Sequence, residues 1–215
     1  IESPFPGIPL ASQSTIEFID LDDDGDSDAV LGGSSGGLQY FENIGLNNVP
    51  VYSEAIGLLN PFFGVDVGQH SSPSCMDYDN DGDIDCFIGN FEGKILLYEN
   101  TGSYVLPVFT ERAQSNNPLN GVDVGYFSTL IFWDYDNDGD DDMLVSSTSS
   151  NIRFFENRRP STTSTFFNRN GDSNPFNVMK NSPYRTLAFA DLNNDTTVEF
   201  VSGSIYGTVE YFQNS

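Results

Sequence analysis

Residues 134–142 read DYDNDGDDD, and the same string returns as DYDNDGDID at 77–85, as DLDDDGDSD at 20–28 and, altered, as DLNNDTTVE at 191–199. The leading aspartates, Asp20, Asp77, Asp134 and Asp191, stand 57 residues apart at every step. A spacing that does not drift over three steps marks a duplicated structural unit, so residues 1–215 read as a single repeat domain of four copies.

Working outward from the acidic string, each copy opens with a short alternating segment: TIEFID from Thr15, SPSCMD from Ser72, TLIFWD from Thr129 and TLAFAD from Thr186. Segments rich in β-branched and aromatic residues that run into a turn read as strands. Beyond the acidic string, AVLGG, CFIGN, MLVSS and FVSGS give a second strand ending in small residues, a turn signal. A third strand is expected at Leu38–Asn43, Ile95–Asn100, Ile152–Asn157 and Val209–Asn214, and its final asparagine keeps the same spacing. PVYSE at Pro50, PVFTE at Pro107 and STFFN at Ser164 predict a weaker fourth strand. Connectors follow in register: SPFPGIPL from Ser3, NPFFGVDV from Asn60, NPLNGVDV from Asn117 and NPFNVMKN from Asn174.

No helical periodicity of useful length appears, so the expected class is all-β, with about four antiparallel strands per repeat. Small sheets that are apolar on both faces must stack on one another. A propeller does this radially and a solenoid linearly, and four copies are enough to form a β-propeller of four blades. The fourth strand of the last repeat would fall beyond Ser215, so the last blade is expected to lack its outer strand. An unpaired edge of that kind invites another chain, which makes self-assembly through the incomplete blade an expected partner mode.

Charge patterning decides what the acidic strings do. The formal net charge is −24, yet twenty of the 32 Asp and Glu lie inside the four nine-residue windows. Like charges ~4 Å apart cost on the order of 1–4 kcal/mol per pair near a surface, so such clusters imply bound divalent cations. With eight Lys and Arg, scattered, the surface repels nucleic acid and anionic lipid, and neither is expected as a partner. No apolar run approaches the ~20 residues of a membrane span, so membrane insertion is not expected. No charged-then-apolar leader opens the chain at Ile1, so an exported form would already have lost it.

Side chains at string positions 1, 3 and 5 converge when a glycine at position 6 lets the backbone turn; position 7 offers a carbonyl and position 9 a closing carboxylate. The first string supplies Asp20, Asp22, Asp24, Asp26 and Asp28; the second Asp77, Asp79, Asp81, Asp83 and Asp85; the third Asp134, Asp136, Asp138, Asp140 and Asp142. Ligation by oxygen alone favours calcium over zinc and magnesium. The helical calcium hand needs a glutamate at position 12, where this chain has Leu31, Ile88 and Val145. Plain Asp-Gly turns without a metal account poorly for three intact copies. The fourth string offers Asp191, Asn193, Asp195, Thr197 and Glu199, but Thr196 stands at the glycine position, where a β-branched residue at positive φ is strained. Three calcium sites are expected, with the fourth less complete.

Cys75 and Cys86 bracket the second string at positions held elsewhere by Phe18 and Ala29, Phe132 and Met143, and Phe189 and Phe200. These positions read as a cross-strand pair, at which a disulfide closes a short hairpin loop; the alternative is two buried thiols packed as small apolar groups. The calcium loops point to an oxidising compartment, which favours the disulfide.

The pattern D-x-D-x-D-G-D-x-D between two short strands, followed by a glycine and then YFEN, resembles the FG-GAP/VCBS repeat, known from the propeller of integrin alpha chains and from many secreted proteins. The resemblance covers essentially the whole chain, although integrin-type propellers have more blades than the four copies here. It implies a calcium-stabilised extracellular β-propeller, secreted or at the cell surface, serving adhesion, glycan binding, or as an appendage of polysaccharide-degrading enzymes.

The remaining residues add little chemistry. His70, the single histidine, has no second member of a triad placed by the sequence and reads as a loop residue; Trp133 reads as packing against the next blade. The acids are already explained by their register, so no glycosidase pair and no enzyme is expected. Asn194-Asp195-Thr196 is a formal glycosylation acceptor. The expected function is an adhesion, binding or structural-assembly module that meets a protein or glycan surface. The alternatives are a lectin holding glycan between blades and a non-catalytic appendage of a polysaccharide-active enzyme.

Overall fold

The computed structural model describes residues 12–46, 49–148, 152–158, 164–178, 186–193 and 198–213. Four antiparallel sheets follow one another along the chain, each a simple meander. The first blade is β1 (Thr15–Ile19), β2 (Asp28–Gly32), β3 (Gln39–Asn43) and β4 (Tyr52–Ala55). The second is β5 (Ser72–Met76), β6 (Asp85–Gly89), β7 (Ile95–Asn100) and β8 (Phe109–Arg112). The third is β9 (Thr129–Trp133), β10 (Asp142–Ser146), β11 (Arg153–Asn157) and β12 (Phe166–Arg169). The fourth has three strands among the described residues, β13 (Thr186–Ala190), β14 (Glu199–Gly203) and β15 (Val209–Phe212), so it lacks an outer strand as expected.

The sheets are arranged as a four-bladed β-propeller with the first strand of each blade innermost: β1 packs on β5, β5 on β9 and β9 on β13. Among the described residues, β13 and β1 do not share the close packing that joins the other neighbours. No α-helix occurs among the described residues. Single 3-10 turns do occur, at Gly57–Leu59, Gln114–Asn116, Gly171–Ser173 and Pro175–Val178, and they are too short to leave a periodicity in the sequence.

Alternation along the strands builds the core. A strand sends successive side chains to opposite faces, so a middle strand with a blade on either side is buried at every residue. In β6, Cys86 and Ile88 join a cluster shared with Val30 and Tyr40 of the first blade, while Phe87 between them joins Leu130 and Met143 of the third. The third and fourth blades meet through Phe154 and Phe200, with Trp133 set 4.4 Å from Phe189.

The connectors plug the seams. Phe62, Leu119 and Phe176, all buried, lie at one register position between successive blades. An asparagine two residues earlier holds each plug: the side-chain amides of Asn60, Asn117 and Asn174 donate to the carbonyls of Leu38, Ile95 and Ile152 at 3.0, 2.9 and 2.8 Å. The cross-strand positions read from the repeat are opposite one another, and Cys75 and Cys86 are joined with their Cα atoms 4.1 Å apart.

Small residues at the ends of β2 and β6 have a steric cause. A Cβ on Gly89 would sit 2.3 Å from the carbonyl oxygen of Ser128, and one on Gly32 would sit 2.1 Å from that of Ser71. The obstruction is backbone of the next connector, which cannot swing aside. Gly89→Ala is therefore expected to destabilise the fold by about 1–3 kcal/mol, the usual cost of overpacking, measured as a lower urea midpoint at unchanged slope.

Burial at the inner strands also leaves a titration signature. Glu17 on β1 is pushed up to about 7 by burial, against a hydrogen bond from the Cys75 backbone that favours the charged form. The folded state then binds its proton more tightly than the unfolded chain does, so this group's contribution to stability falls as pH rises from about 4.5 to about 7. Glu17→Gln is expected to raise the melting temperature relative to the parent at pH 8 and to change it little at pH 4.5.

Candidate functional site

Each acidic loop joins the first strand of a blade to the second, so the loops leave the propeller from one end and the turns between second and third strands leave from the other. The two ends carry different chemistry.

At the first end, backbone amides wrap each loop around its leading carboxylates. Asp20 accepts from the amides of Asp24 and Gly25 at 3.1 and 3.0 Å, and Asp24 accepts from that of Asp26 at 3.1 Å. Asp134 and Asp138 repeat this in the third loop, with the amides of Asp138, Gly139 and Asp140 at 3.1, 3.0 and 3.0 Å. The second loop keeps Gly82 on Asp77 at 3.2 Å and Asp83 on Asp81 at 3.1 Å. The reversal needs a left-handed residue at position 6, and Gly25, Gly82 and Gly139 supply φ of 97°, 97° and 92°.

The loops bring together Asp20, Asp22 and Asp24; Asp77, Asp79 and Asp85; and Asp134, Asp136 and Asp138, with one ligand atom from each residue within 4.8 Å of the others in its group. Asp22 Oδ1, Asp26 Oδ1, Asp79 Oδ1 and Asp83 Oδ1 are buried without a hydrogen-bond donor. Buried carboxylate oxygens lacking a donor are costly, and a cation of the kind oxygen ligands select relieves that cost. The acidic clusters can therefore hold a metal ion. With no cation, burial and neighbouring carboxylates push Asp22 and Asp83 up to about 6.

The acid at position 9 also has a structural task that sequence reasoning did not assign. It opens the second strand and is buried in every blade. Asp28 accepts the amides of Leu21 at 3.2 Å and Asn43 at 2.8 Å, and the Tyr40 hydroxyl at 2.7 Å. Asp85 accepts from Tyr78 and Asn100 at 3.1 and 2.7 Å, and Asp142 from Tyr135 and Asn157 at 3.1 and 2.7 Å. Burial pushes Asp85 and Asp142 up to about 7. The signal in the sequence was the asparagine that closes each third strand in step with the acid. Its backbone meets the carboxylate, and its side-chain oxygen receives the amides of the next turn, Gly45 and Val51 in the first blade.

The fourth loop differs. Glu199 is fully buried and accepts from the Leu192 amide at 2.7 Å and the Asn193 side-chain amide at 3.0 Å, so Asn193 presents its nitrogen to that carboxylate. Asp195 and Thr197, together with the acceptor Asn194, lie outside the described residues.

At the opposite end a cleft of about 970 Å³ opens across the second blade, lined by Gln69, Asn90, Phe91, Glu92, Asp123 and Tyr126 among others. Its floor is stitched from three segments: the Phe91 amide donates to Gln69 at 2.8 Å, the Phe127 amide to Phe91 at 3.1 Å and the Asn90 side chain to Val67 at 2.9 Å. Phe91 stands 5.3 Å from Tyr126 and 4.8 Å from Phe127, and His70 stands 4.6 Å from Phe127. His70 thus belongs to an aromatic platform. It and Phe127 hold left-handed φ of 53° and 58°, as Gln13 does at the same register position with 58°. Strained residues of that kind persist where surrounding structure over-determines them. Sequence reading missed this cleft, since its segments come from three separate turns.

No curated protein sequence matches the chain. Among solved structures, one described as the structural basis of specific recognition of non-reducing terminal N-acetylglucosamine by an Agrocybe aegerita lectin is similar in fold, with a TM-score of 0.53 and 16% identity. The likeness covers 90% of this chain and 48% of that one, so the chain spans about half the length of this relative. Residues 134–202 match the family model described as an FG-GAP-like repeat. The matched segment runs from the third acidic loop into the fourth blade, and the same 57-residue unit recurs in register through the chain.

Proposed function

We propose that this chain is a calcium-stabilised binding module acting outside the cell, and that it takes a glycan in the cleft across its second blade. The observation that carries the reading is the cleft itself: Gln69 and the carboxylates of Glu92 and Asp123 line it beside Phe91 and the exposed Tyr126. Sugars present hydroxyls to such polar groups and an apolar C–H face to aromatic rings, and sites of this make-up fix a ligand with few, well-placed contacts. The fold likeness to an N-acetylglucosamine-recognising lectin supports the same class of ligand. A glycan borne by a protein or cell surface gives the module an adhesive role without further chemistry. The proposal is binding rather than catalysis.

Calcium belongs to the other end of the molecule. Three loops of clustered carboxylates, with buried oxygens lacking donors in the first two, support calcium ions of structural purpose, one to each loop. The Cys75–Cys86 bond is of a kind that persists in oxidising compartments, which supports the setting outside the cell.

Calcium added to chelator-treated protein is expected to raise the melting temperature by about 5–10 °C for one site at a hundred times its Kd. Asp79→Asn should reduce that gain. A melting curve that ignores calcium overturns the cation reading. For the ligand, an array that includes N-acetylglucosamine-terminated glycans is expected to give binders whose affinity falls about tenfold, or ~1.4 kcal/mol, in Tyr126→Ala. An array without hits overturns the glycan reading and leaves the calcium reading standing.

A further inference from the structure

The cleft across the second blade does not end at its aromatic platform. A second cavity of about 430 Å³ opens beside it, lined by Glu111, Arg112, Gln114, Asn117 and Asn120 among others. Glu92, Lys94, Leu96 and Asp123 line both cavities, so the two are lobes of one groove that meet at a shared waist. Each lobe alone has the volume of an ordinary ligand pocket. Phe91, Glu92 and Lys94 stand where the first blade has Ser34, Ser35 and Gly37, so the make-up of the groove belongs to this blade and not to the repeat.

One wall runs the length of the groove. The connector from β8 to β9 supplies Gln114 and Asn120 to the outer lobe, Asp123 to the waist and Tyr126 to the inner lobe. It is fixed to the second blade along the way: the Asn117 side-chain amide donates to the Ile95 carbonyl at 2.9 Å, the Val124 amide donates to that of Gly93 at 3.0 Å, and Leu119 plugs the seam. The groove is therefore formed before a ligand arrives, and binding along it needs little ordering of the protein. Gln69 leads into β5, the innermost strand of the blade, and Gln114 follows β8, the outermost, so the lining spans three strand spacings or about 14 Å. That reach exceeds one pyranose ring.

Charge narrows the ligand further. The cations of the groove are already paired, Lys94 with Glu92 and Arg112 with Glu99. Asp66, Glu111 and Asp123 also line it and have no Lys or Arg within ion-pair distance among the described residues, so the groove as a whole is negative. It repels uronic and sialic acid chains. We infer that the groove takes an uncharged oligosaccharide rather than a single sugar, with one residue against Phe91 and Tyr126 and the following residues crossing the waist into the outer lobe. The inference rests on the glycan reading above and names the length and charge of the ligand.

Titration calorimetry of the full chain, in the presence of calcium, with N-acetylglucosamine and its β1,4-linked dimer, trimer and tetramer tests this. Affinity is expected to rise at least about tenfold from the monosaccharide to the trimer. Gln114 and Asn120 are exposed, so the double variant Gln114→Ala/Asn120→Ala is expected to melt like the parent. In that variant the gain with length is expected to vanish, while the monosaccharide binds within about twofold of the parent's affinity. Tyr126→Ala is expected to weaken every member of the series. Chains that alternate with glucuronic acid are expected to bind at least about tenfold less tightly than neutral chains of the same length. Equal affinity along the series, a length gain untouched by the double variant, or equal binding of the acidic chains overturns the inference and leaves the glycan reading standing. Absence of binding throughout also overturns the inference, and the array of the preceding section then decides whether the glycan reading falls with it.

Discussion

The buried carboxylate that opens the second strand of every blade is the interaction on which the rest of the structure depends. Asp28, Asp85, Asp142 and Glu199 each receive the amide of the second loop residue, and the first three also receive the amide that closes the third strand. One side chain thereby ties three strands together and sets where the acidic loop begins and ends. A buried carboxylate of this kind is tolerated only when hydrogen-bonded, and removing one partner leaves the other unsatisfied at the cost of the full desolvation penalty. The tie is therefore stricter than any single apolar contact around it.

The two ends of the propeller follow from this anchoring. With the ninth position held by backbone amides, the forward aspartates gather at the loop end, joined in the second loop by Asp85 itself. The other end, reached by the turns after the second strands, is free to vary. Blade two places Phe91 and Glu92 there, where blade one has Ser34 and Ser35 and blade four has Ile205 and Tyr206. The shared end holds blades together, and the variable end is where a recognition surface develops, as is usual for loops on a rigid scaffold.

Much of this was legible in the residues, and for a definite reason. Cross-strand pairs such as Phe18 with Ala29 and Cys75 with Cys86 came from register alone, because a fixed repeat turns one-dimensional spacing into partners in space. The acidic clusters were legible because a five-oxygen pattern around a turning glycine has few other uses. The second role of Asp28 was not, since burial of an aspartate depends on the Asn43 amide that arrives from a strand fifteen residues away. The 3-10 turns were hidden by their length, whereas Trp133 packs on Phe189 of the next blade as its register position suggested.

The sequence by itself determined the unit: its length, its strands, its loops and the order in which they recur, all of which are local or periodic properties of the chain. Only the tertiary structure decided which faces of the units meet solvent. Val209 and Ile95 are β-branched residues at one register position, and one is exposed while the other is buried, because burial belongs to the neighbour a face finds and not to the residue that forms it. The same holds for the cleft at Phe91 and Tyr126, whose segments become one surface only when adjacent blades are packed side by side.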